Sequence, residues 1–384
     1  MKILLVHNTY QKSGGEDAVF QNEGDLLKQH GNTVIHETKD NEEINGVVQK
    51  VKTALNTIYS VRARKAFSHR LKRERPDIIH IHNFFPLFTP AIFYAAKALR
   101  IPTVFTLHNY RIICPTAVLM HQGKINERSI KSGPFWTIPH KVYKDSIFGT
   151  FALASMILFH KVIGTWKNQV DCFVVLTEFA KNKFIEAGIP ADKIKVKPNF
   201  IPDPHNKETA IDKKGGYAIY AGRLSTEKGV STLLKSWESI DYPLKIVGDG
   251  PLMEEVVAAQ NPNIEILGFQ QNEDVQRLIQ HADFLIMPSE WYEGFPMTLL
   301  ESFANSTPAL VSDIGSLAEI VEHGKTGLKF EAGNTESLIK TVETFLNDSN
   351  RQELSVNARR AYLAHYTPSK NYKSLMSIYQ GNLA

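Results

Sequence analysis

Short apolar runs alternate with helical segments along the whole chain, and this alternation is the feature that most constrains the fold. In the first half, the runs that predict strands are Ile3–His7, Thr33–His36, Asp77–Ile81, Thr103–Leu107 and Cys172–Leu176. In the second half, they are Tyr217–Tyr220, Leu244–Val247, Ile264–Leu267, Phe284–Met287, Ala309–Ser312 and a run near Leu328. Strands that alternate with helices form parallel sheets with helices on both faces. The sequence therefore predicts an α/β protein with two doubly wound, Rossmann-like parallel sheets.

A proline-rich segment separates the two series. Lys197–Pro204 contains three prolines in eight residues, a composition that suits neither a helix nor a strand. The 384 residues also exceed the usual size of one domain. We therefore predict a first domain over residues 1–205, a second over residues 206–366 and a terminal helix over residues 367–384. The terminal helix carries apolar side chains at Tyr372, Leu375, Met376 and Tyr379.

A hydrophobic content of 43% and a charged content of 22% are typical of a soluble globular protein. The N-terminus has an apolar run of only four residues, which predicts a strand rather than a signal peptide. The longest apolar stretch, Phe148–Phe159, is about half the ~20 residues that a membrane-spanning helix needs. Cys114 and Cys172 show neither a disulfide framework nor metal-ligand spacing, which favours a cytoplasmic protein.

Charge is distributed unevenly. Residues 1–200 contain 28 lysines and arginines against 16 acids, whereas residues 201–384 contain 16 against 24. Lys50–Arg75 alone has nine basic residues and one acid, with apolar residues near helical spacing. This pattern is compatible with a face that binds an anionic membrane and equally with a solvated helix. No helix-turn-helix, zinc-finger or RNA-binding motif accompanies the charge, so nucleic acid is not an expected partner.

The most informative motif is Glu293–Glu301, which reads Glu-Gly-Phe-Pro-Met-Thr-Leu-Leu-Glu. Pro296 has a fixed φ and no N–H, which suits the first position of a helix, and the residues after it favour a helix. The free amides at a helix N-terminus bind anions. The segment therefore predicts an anion site flanked by two carboxylates.

A second motif, Gly222–Gly229, follows a predicted strand and precedes another helix. It places Arg223 and Lys228 five residues apart. Paired cations near a helix N-terminus fit a diphosphate, and carboxylates fit sugar or ribose hydroxyls. A solvated ion pair with the adjacent Glu227 is the alternative interpretation.

These motifs, together with Ser-Asp-Ile-Gly, Glu-Ile-Val and Gly-Lys-Thr-Gly between residues 312 and 327, resemble family 4 of the retaining, nucleotide-sugar-dependent glycosyltransferases, of the capsular and exopolysaccharide type. The resemblance covers essentially the whole chain. It implies the GT-B fold, in which two Rossmann-like domains face a cleft, the first for the acceptor and the second for the donor. It also implies front-face attack, in which a donor phosphate oxygen takes the acceptor proton, with no metal ion or other cofactor.

For the donor, the resemblance assigns the diphosphate to Arg223 and Lys228, which also count as catalytic because they stabilise the leaving group. Glu293, a further catalytic candidate, would contact the donor sugar, and Glu301 would hold the ribose hydroxyls. The base would lie against the loop at Phe269. The residues between the two glutamates complete the predicted donor site: Gly294, Phe295, Pro296, Met297, Thr298 and Leu299.

Two other interpretations exist for the glutamates. One makes Glu293 a helix cap and Glu301 an exposed helix residue. The other makes them a nucleophile and acid pair, as in retaining glycosidases with carboxyl groups ~5 Å apart. Eight residues of helix rise, or ~12 Å, argue against that pair.

In the first domain, Ser13–Glu16 follows the first strand. Gly14 and Gly15 would let backbone amides approach a phosphate or a sugar, although a Gly-Gly pair is more often only a turn. The resemblance assigns both glycines to the donor site. It makes His108, after the fourth strand, a catalytic candidate that faces the donor sugar.

His82 and Asn109 are candidate acceptor-binding residues. His80 and His82 could form a metal-binding pair, but no third ligand has a supporting spacing, so we predict no metal site and interpret His80 as a core residue. Residues 135–166, rich in aromatic, aliphatic and basic side chains, are either an acceptor-binding or membrane-facing element or a buried helical pair.

The resulting hypothesis is a cytoplasmic glycosyltransferase, peripheral on the inner membrane face. It would move a sugar from a nucleotide diphosphate sugar, with a UDP-sugar favoured, to a glycan acceptor such as a polyprenyl-linked saccharide. Two alternatives share the architecture: a nucleotide-sugar epimerase and a non-catalytic nucleotide-sugar-binding module. An intact set of donor residues favours transfer over both.

Overall fold

The computed structural model describes residues 1–9, 15–40, 56–205 and 214–383. Gly14 and residues 50–55 of the basic stretch lie outside these ranges. The chain divides into two compact units. Unit 1 comprises Met1–His121, Asn126–Pro198 and Asn371–Ala384, and unit 2 comprises Gln122–Ile125 and Asn199–Lys370.

Unit 1 is built on a six-stranded parallel sheet. Its strands are β1 (Lys2–Thr9), β2 (Thr33–Asp40), β3 (Ile78–Ile81) and β4 (Thr103–Thr106), followed, after the short strands β5 (Met120–His121) and β6 (Lys124–Ile125), by β7 (Cys172–Val175) and β8 (Ile194–Val196). The order in the sheet is β2-β1-β3-β4-β7-β8. Its helices before the linker are α1 (Gly15–Gln29), α2 (Val61–Glu74), α3 (Ala91–Ala98), α4 (Arg128–Ser132), α5 (Ile147–Val162), α6 (Thr165–Asn168) and α7 (Glu178–Glu186).

Unit 2 repeats this plan. Its strands are β9 (Ala218–Ala221), β10 (Leu244–Val247), β11 (Ile264–Gly268), β12 (Phe284–Met287), β13 (Ala309–Ser312) and β14 (Gly327–Phe330), in the order β11-β10-β9-β12-β13-β14. Its helices are α8 (Val230–Trp237), α9 (Met253–Ala258), α10 (Asn272–His281), α11 (Met297–Ala304), α12 (Gly315–Ile320), α13 (Thr335–Asn347) and α14 (Arg351–His365).

The last helix, α15 (Pro368–Leu383), belongs to the core of unit 1. Leu375 and Tyr379 are fully buried there against Ile3 and Val104 of the sheet. The Tyr379 hydroxyl also lies 2.7 Å from Nδ1 of His80. The C-terminal segment therefore closes the core that the first strands begin.

The predicted α/β class with two parallel sheets is confirmed, and each predicted strand is present. Observed bounds differ most for β2, which continues four residues beyond the predicted His36. Three strands were missed. Two have only two residues each, and the third, β8, is an edge strand of only three residues, fewer than the about four that the alternation pattern of a strand needs.

Candidate functional site

Two neighbouring loops of unit 2 bring the predicted donor residues together. β9 and β12 are adjacent and parallel, so the loops that follow them start at the same edge of the sheet. The loop after β9 contains Arg223 and a short 3₁₀ helix, Thr226–Lys228, directly before α8. The loop after β12 contains Glu293 and leads into α11.

Gly229 is where these two loops come closest. Its φ is +68°, and a Cβ built on it would lie only 1.8 Å from the carbonyl oxygen of Pro288. Just beside it, the amide of Glu290 donates to the carbonyl of Glu227 at 2.9 Å. Only glycine combines this backbone angle with this approach, so Gly229 fixes the spacing of the loops.

Lys228 and Glu293 form the central ion pair of the site. The Lys228 Nζ lies 2.7 Å from Oε1 of Glu293, and the Ser289 hydroxyl donates to the same oxygen at 2.7 Å. Glu293 is only 4% exposed, and Lys228 Nζ lies 5.3 Å from the centre of the Trp291 ring. Because Glu227 accepts instead from Ser225, the interpretation of Lys228 as a solvated partner of Glu227 is wrong.

Arg223 is the exposed cation of the same loop. Its backbone carbonyl accepts from the Tyr220 hydroxyl at 2.7 Å, which holds the main chain in place. Within the described ranges, no ion pair or hydrogen bond engages its guanidinium. An incoming anion can therefore bind Arg223 without displacing an internal carboxylate.

α11 begins at Met297, and Pro296 is its N-cap, so the prediction that Pro296 occupies the first helical position is wrong by one residue. Pro296 has an extended ψ of 119° and provides no side-chain cap. Phe295 is 8% exposed and its ring packs against Tyr366 at 5.9 Å. The first-turn amides of Met297 and Thr298 lack a capping side chain and suit an anion, whereas the amide of Leu299 already donates to the Pro296 carbonyl at 3.2 Å.

Glu301 lies on the second turn of α11 and is partly buried. Burial raises the pKa of its carboxyl to about 7, and a hydrogen bond from Gln276 acts in the opposite direction. Gln276 in turn accepts from Asn305 at 2.6 Å. Glu293 is therefore not a helix cap, and Glu301 is not an exposed helix residue. Because Glu293 precedes α11, the two glutamates are also not separated by eight residues of helix rise.

Phe269 follows Gly268 at the end of β11 and its side chain is exposed to 72%. An exposed aromatic ring at the carboxyl end of a parallel strand offers a flat apolar surface of the kind on which a base stacks. The turn is set by Gly268, which has a φ of +64°.

In unit 1, two amides hold a carboxylate that sequence analysis did not select. Glu16 lies in the first turn of α1, which begins at Gly15. Asn83 donates to its Oε1 at 3.1 Å and Asn109 to its Oε2 at 3.4 Å. These residues follow β1, β3 and β4, so the parallel sheet brings them to one edge.

Behind this edge lies a buried polar group of residues. His108 follows β4, and burial lowers its pKa to about 3, so the imidazole is neutral. Its Nε2 lies 3.1 Å from Nδ1 of His82, which is only 2% exposed. His80 is fully buried, with its ring nitrogens 2.7 Å from the hydroxyls of Tyr379 and Thr106, as expected of a core histidine.

Glu23 completes this group. One carboxylate oxygen of Glu23 and ring nitrogens of His80 and His82, atoms of the kind that can bind a metal ion, lie within 4.8 Å of one another, a proximity that the sequence spacing did not indicate. Glu23 also forms a fully buried ion pair with Lys197. Sequence spacing gave no signal for either charge, because α1 and the end of β8 are far apart in the chain.

Comparison with known proteins identifies the family. A family model described as Glycosyltransferase Family 4 matches residues 30–203, and one described as Glycosyl transferases group 1 matches residues 203–361. An uncharacterised glycosyltransferase of Methanocaldococcus jannaschii is 26% identical over 373 residues, which cover 94% of this chain and 92% of the relative. An uncharacterised 42.6 kDa protein from the cps region of Klebsiella pneumoniae is 26% identical, over a match that covers 83% of this chain and 87% of that relative.

Among solved structures, HepE of Anabaena in complex with UDP and glucose has a TM-score of 0.69 and 17% identity. The match covers 99% of this chain and 100% of HepE. This likeness shows that the chain shares the GT-B fold.

The close approach at Gly229 generates a prediction. Gly229→Ala should lower the melting temperature of unit 2, measured by calorimetry, because the new Cβ collides with the Pro288 carbonyl. Gly324→Ala is the matched control: its φ is +75°, but nothing lies within 4 Å of its Cβ. It should cost only the ~1–2 kcal/mol of left-handed backbone strain. Equal melting temperatures in the two variants would show that the loop contact is unimportant.

Proposed function

Since this chain belongs to glycosyltransferase family 4, we propose that it transfers a sugar from a UDP-sugar to a glycan acceptor with retention of configuration. The observation that carries the proposal is the grouping of Arg223, Lys228, Glu293 and the amino end of α11 on two adjacent loops of unit 2. Cations, carboxylate and free amides are the groups that a nucleotide diphosphate sugar requires.

Arg223 and Lys228 receive the diphosphate. Arg223 meets it with a guanidinium that no described residue engages, whereas Lys228 is already held by Glu293 at 2.7 Å. This pairing keeps the ammonium in position before the donor arrives and leaves its other N–H groups for phosphate oxygens. As the bond to the sugar breaks, both cations and the amides of α11 stabilise the negative charge that develops on UDP.

The remaining donor residues each have a separate proposed contact. Glu293 contacts the sugar hydroxyls with the oxygen that Lys228 and Ser289 do not use. Glu301 accepts from the ribose hydroxyls, and Phe269 stacks on the base. Gly294, Phe295 and Pro296 support the sugar and phosphate through their backbone. Gly14, outside the described ranges, and Gly15 keep their proposed donor contacts.

The reaction needs no protein side chain as base. The acceptor hydroxyl attacks C1 on the face that UDP leaves, and its proton passes to a phosphate oxygen of the departing UDP. The new glycosidic bond therefore has the configuration of the old one. Asn109 supplies a neutral polar contact on the acceptor side and also orients Glu16, whereas His108 faces the donor sugar.

An epimerase or a binding module would use the same donor groups, so products separate the three functions. Transfer gives UDP and a glycoside, epimerisation gives a new UDP-sugar, and a binding module gives neither. The relative from the Klebsiella pneumoniae cps region supports a polysaccharide acceptor.

An exposed apolar stripe on α5 supports membrane association through unit 1. Phe148, Phe151, Phe159 and Val162 recur at helical spacing and are 84%, 53%, 43% and 74% exposed. The opposite face, including Leu153 and Ile157, is buried. Residues 135–166 therefore have both a face buried in the core and an exposed apolar face that could meet a membrane. No helix in the described part of the chain is long and apolar enough to cross a membrane. The exposed face of α5 is apolar like its buried face, and an exposed apolar patch is a feature of membrane-binding surfaces.

The basic helix α2 begins near α5. Arg62, Lys65 and Lys72 lie at helical spacing on its exposed side. Nε2 of His160 in α5 lies 2.7 Å from the carbonyl oxygen of Ile58, just before α2. The two helices therefore belong to one region of unit 1, suited to an anionic bilayer.

The first prediction for this function concerns the diphosphate. Arg223→Ala and Lys228→Ala should each weaken UDP binding, measured by calorimetry, by about 1.5–3 kcal/mol, as expected for a lost charged hydrogen bond. Only Lys228→Ala should also lower the melting temperature, because it leaves the buried Glu293 carboxylate without its cation. Lys235→Ala, an exposed lysine on α8, is the control. Unchanged UDP affinity in both variants would remove the assignment.

The glutamates give a second prediction. Glu301→Gln should chiefly weaken UDP binding, whereas Glu293→Gln should lower kcat more than UDP affinity. Because the Glu301 pKa is about 7, wild-type UDP affinity should rise from pH 6 to pH 8 as the carboxylate forms. The ratio of wild-type to Glu301→Gln affinity cancels the titration of UDP itself. A pH-independent ratio, or a glycosyl adduct on either glutamate, contradicts these roles.

Membrane association gives a third prediction. The protein should co-sediment with anionic but not neutral liposomes, and 1 M salt, where the Debye length is ~3 Å, should release it. Changing Arg62, Lys65 and Lys72 to Glu should weaken binding, as should Phe148→Ser with Phe151→Ser. Arg64 and Arg70 are unsuitable, because Arg64 bonds to Tyr59 and Arg70 pairs with Glu37.

The matched control changes Lys235, Lys340 and Lys370 of unit 2 to Glu, which alters net charge equally. If the control variant loses as much liposome binding as the α2 variant does, net charge alone explains the loss and α2 has no specific role. Absence of binding to both liposome types would leave α5 and α2 as ordinary surface.

A further inference from the structure

A buried line of polar groups leads from Lys197 to His108, and the proposed reaction assigns no role to most of it. The Lys197 ammonium pairs with Oε1 of Glu23. The other carboxylate oxygen, Oε2, lies 3.5 Å from Nε2 of His82. On the far side of the ring, Nδ1 of His82 lies 3.1 Å from Nε2 of His108.

The line is closed to solvent at its inner end. Glu23 and Lys197 are fully buried, and His82 is 2% exposed. Among the described residues, neither Glu23 Oε2 nor His82 Nε2 has a hydrogen-bond partner. The gap of 3.5 Å needs to shorten by only about 0.5 Å to become an ordinary hydrogen bond.

The protonation states along the line are fixed by the surroundings. Burial raises the pKa of the Glu23 carboxyl, but the charge and hydrogen bond of Lys197, together with the neighbouring His80 and His108, outweigh this, so the pKa is lowered and Glu23 is a carboxylate. Burial lowers the pKa of His82 and His108, so both rings are neutral. A neutral imidazole carries one N–H and one lone pair.

These states determine the direction of every hydrogen bond. A carboxylate only accepts, so the His82 nitrogen that faces Glu23 carries the proton and its Nδ1 carries the lone pair. That lone pair accepts from Nε2–H of His108. His108 is then left with a lone pair on Nδ1, to which no described residue is hydrogen-bonded.

We propose that Glu23 and His82 are positioning residues that hold His108 in the tautomer protonated on Nε2, so that its Nδ1 accepts a hydrogen bond from a sugar hydroxyl. Lys197 serves the same end by keeping Glu23 ionised and aligned. The tautomer rests on the geometry and burial of these groups, whereas the sugar contact rests on the proposed glycosyltransferase function.

A metal ion is the competing occupant of the space between Glu23, His80 and His82. Two features favour the hydrogen-bonded line. Both ring nitrogens of His80 already lie 2.7 Å from hydroxyl groups. The Lys197 ammonium already neutralises the single carboxylate of the set, and its charge repels a cation.

Nitrogen NMR of the full-length protein tests the tautomer without any need for activity. Long-range ¹H–¹⁵N spectra of protein labelled at its 14 histidines distinguish the two neutral forms, and His82→Gln and His108→Gln assign the signals. We expect His82 and His108 both to carry the proton on Nε2. A proton on Nδ1 of His108, or a positively charged ring, would overturn the proposal, as would a stoichiometric metal that Glu23→Gln removes.

Glu23→Gln tests the consequence. The amide keeps an oxygen for Lys197 but turns its NH₂ towards His82, which reverses both rings and moves the His108 proton to Nδ1. We expect kcat to fall roughly ten- to a hundredfold, the range typical for loss of an orienting partner, with KM for the UDP-sugar nearly unchanged. Tyr379→Phe removes a hydrogen bond from the same buried group without touching His82 and should alter neither kcat nor the tautomer.

The outcomes separate this proposal from the proposed function. If Glu23→Gln does not fold, the wild-type spectrum decides the tautomer. If the wild type shows the expected tautomer but no UDP-sugar turns over, the proposed function fails and the tautomer stands. An active enzyme in which Glu23→Gln shifts the tautomer and keeps full kcat would overturn the positioning role.

Discussion

The direction of the strands is the constraint on which the rest of this structure depends. In a parallel sheet every strand ends at the same edge, so residues far apart in the sequence meet there. In unit 2 this rule places the loop with Lys228 beside the loop with Glu293, and their 2.7 Å ion pair is the consequence. In unit 1 it gathers Glu16, Asn83 and Asn109 at one edge.

Each unit contains a buried glutamate that is paired with a lysine close to its polar sheet edge. A buried carboxylate is costly unless it is paired, and removing one partner is more costly than never having had the pair. Glu293 is paired by Lys228 at the surface of unit 2, where a phosphate can share the cation. Glu23 is paired by Lys197 in the interior of unit 1, where no ligand competes. The first arrangement suits binding, and the second suits orientation.

Sequence alone predicted the fold class, each strand in the two main sheets except β8, and the loops that carry Arg223, Lys228 and Glu293. It succeeded because strand periodicity and loop position after a strand are local properties. It missed Glu23 and Lys197, since charged residues in a helix and beside a lysine-rich edge strand look like solvated surface. It also misplaced the start of α11 at Pro296, because proline is compatible with both the cap and the first turn. The roles of the site residues in binding and catalysis stay predictions.

Analysis of the reaction products tests whether this protein transfers a sugar from a UDP-sugar with retention of configuration. The full chain is incubated with a panel of UDP-sugars and candidate glycan acceptors, and the products are followed by NMR, which reports free UDP, new UDP-sugars and the anomeric configuration of any glycoside together. The account predicts UDP in equal amount to a glycoside that keeps the anomeric configuration of the donor, with both lost in Arg223→Ala. An inverted glycoside, a new UDP-sugar without a glycoside, or tight UDP-sugar binding without any product would contradict it.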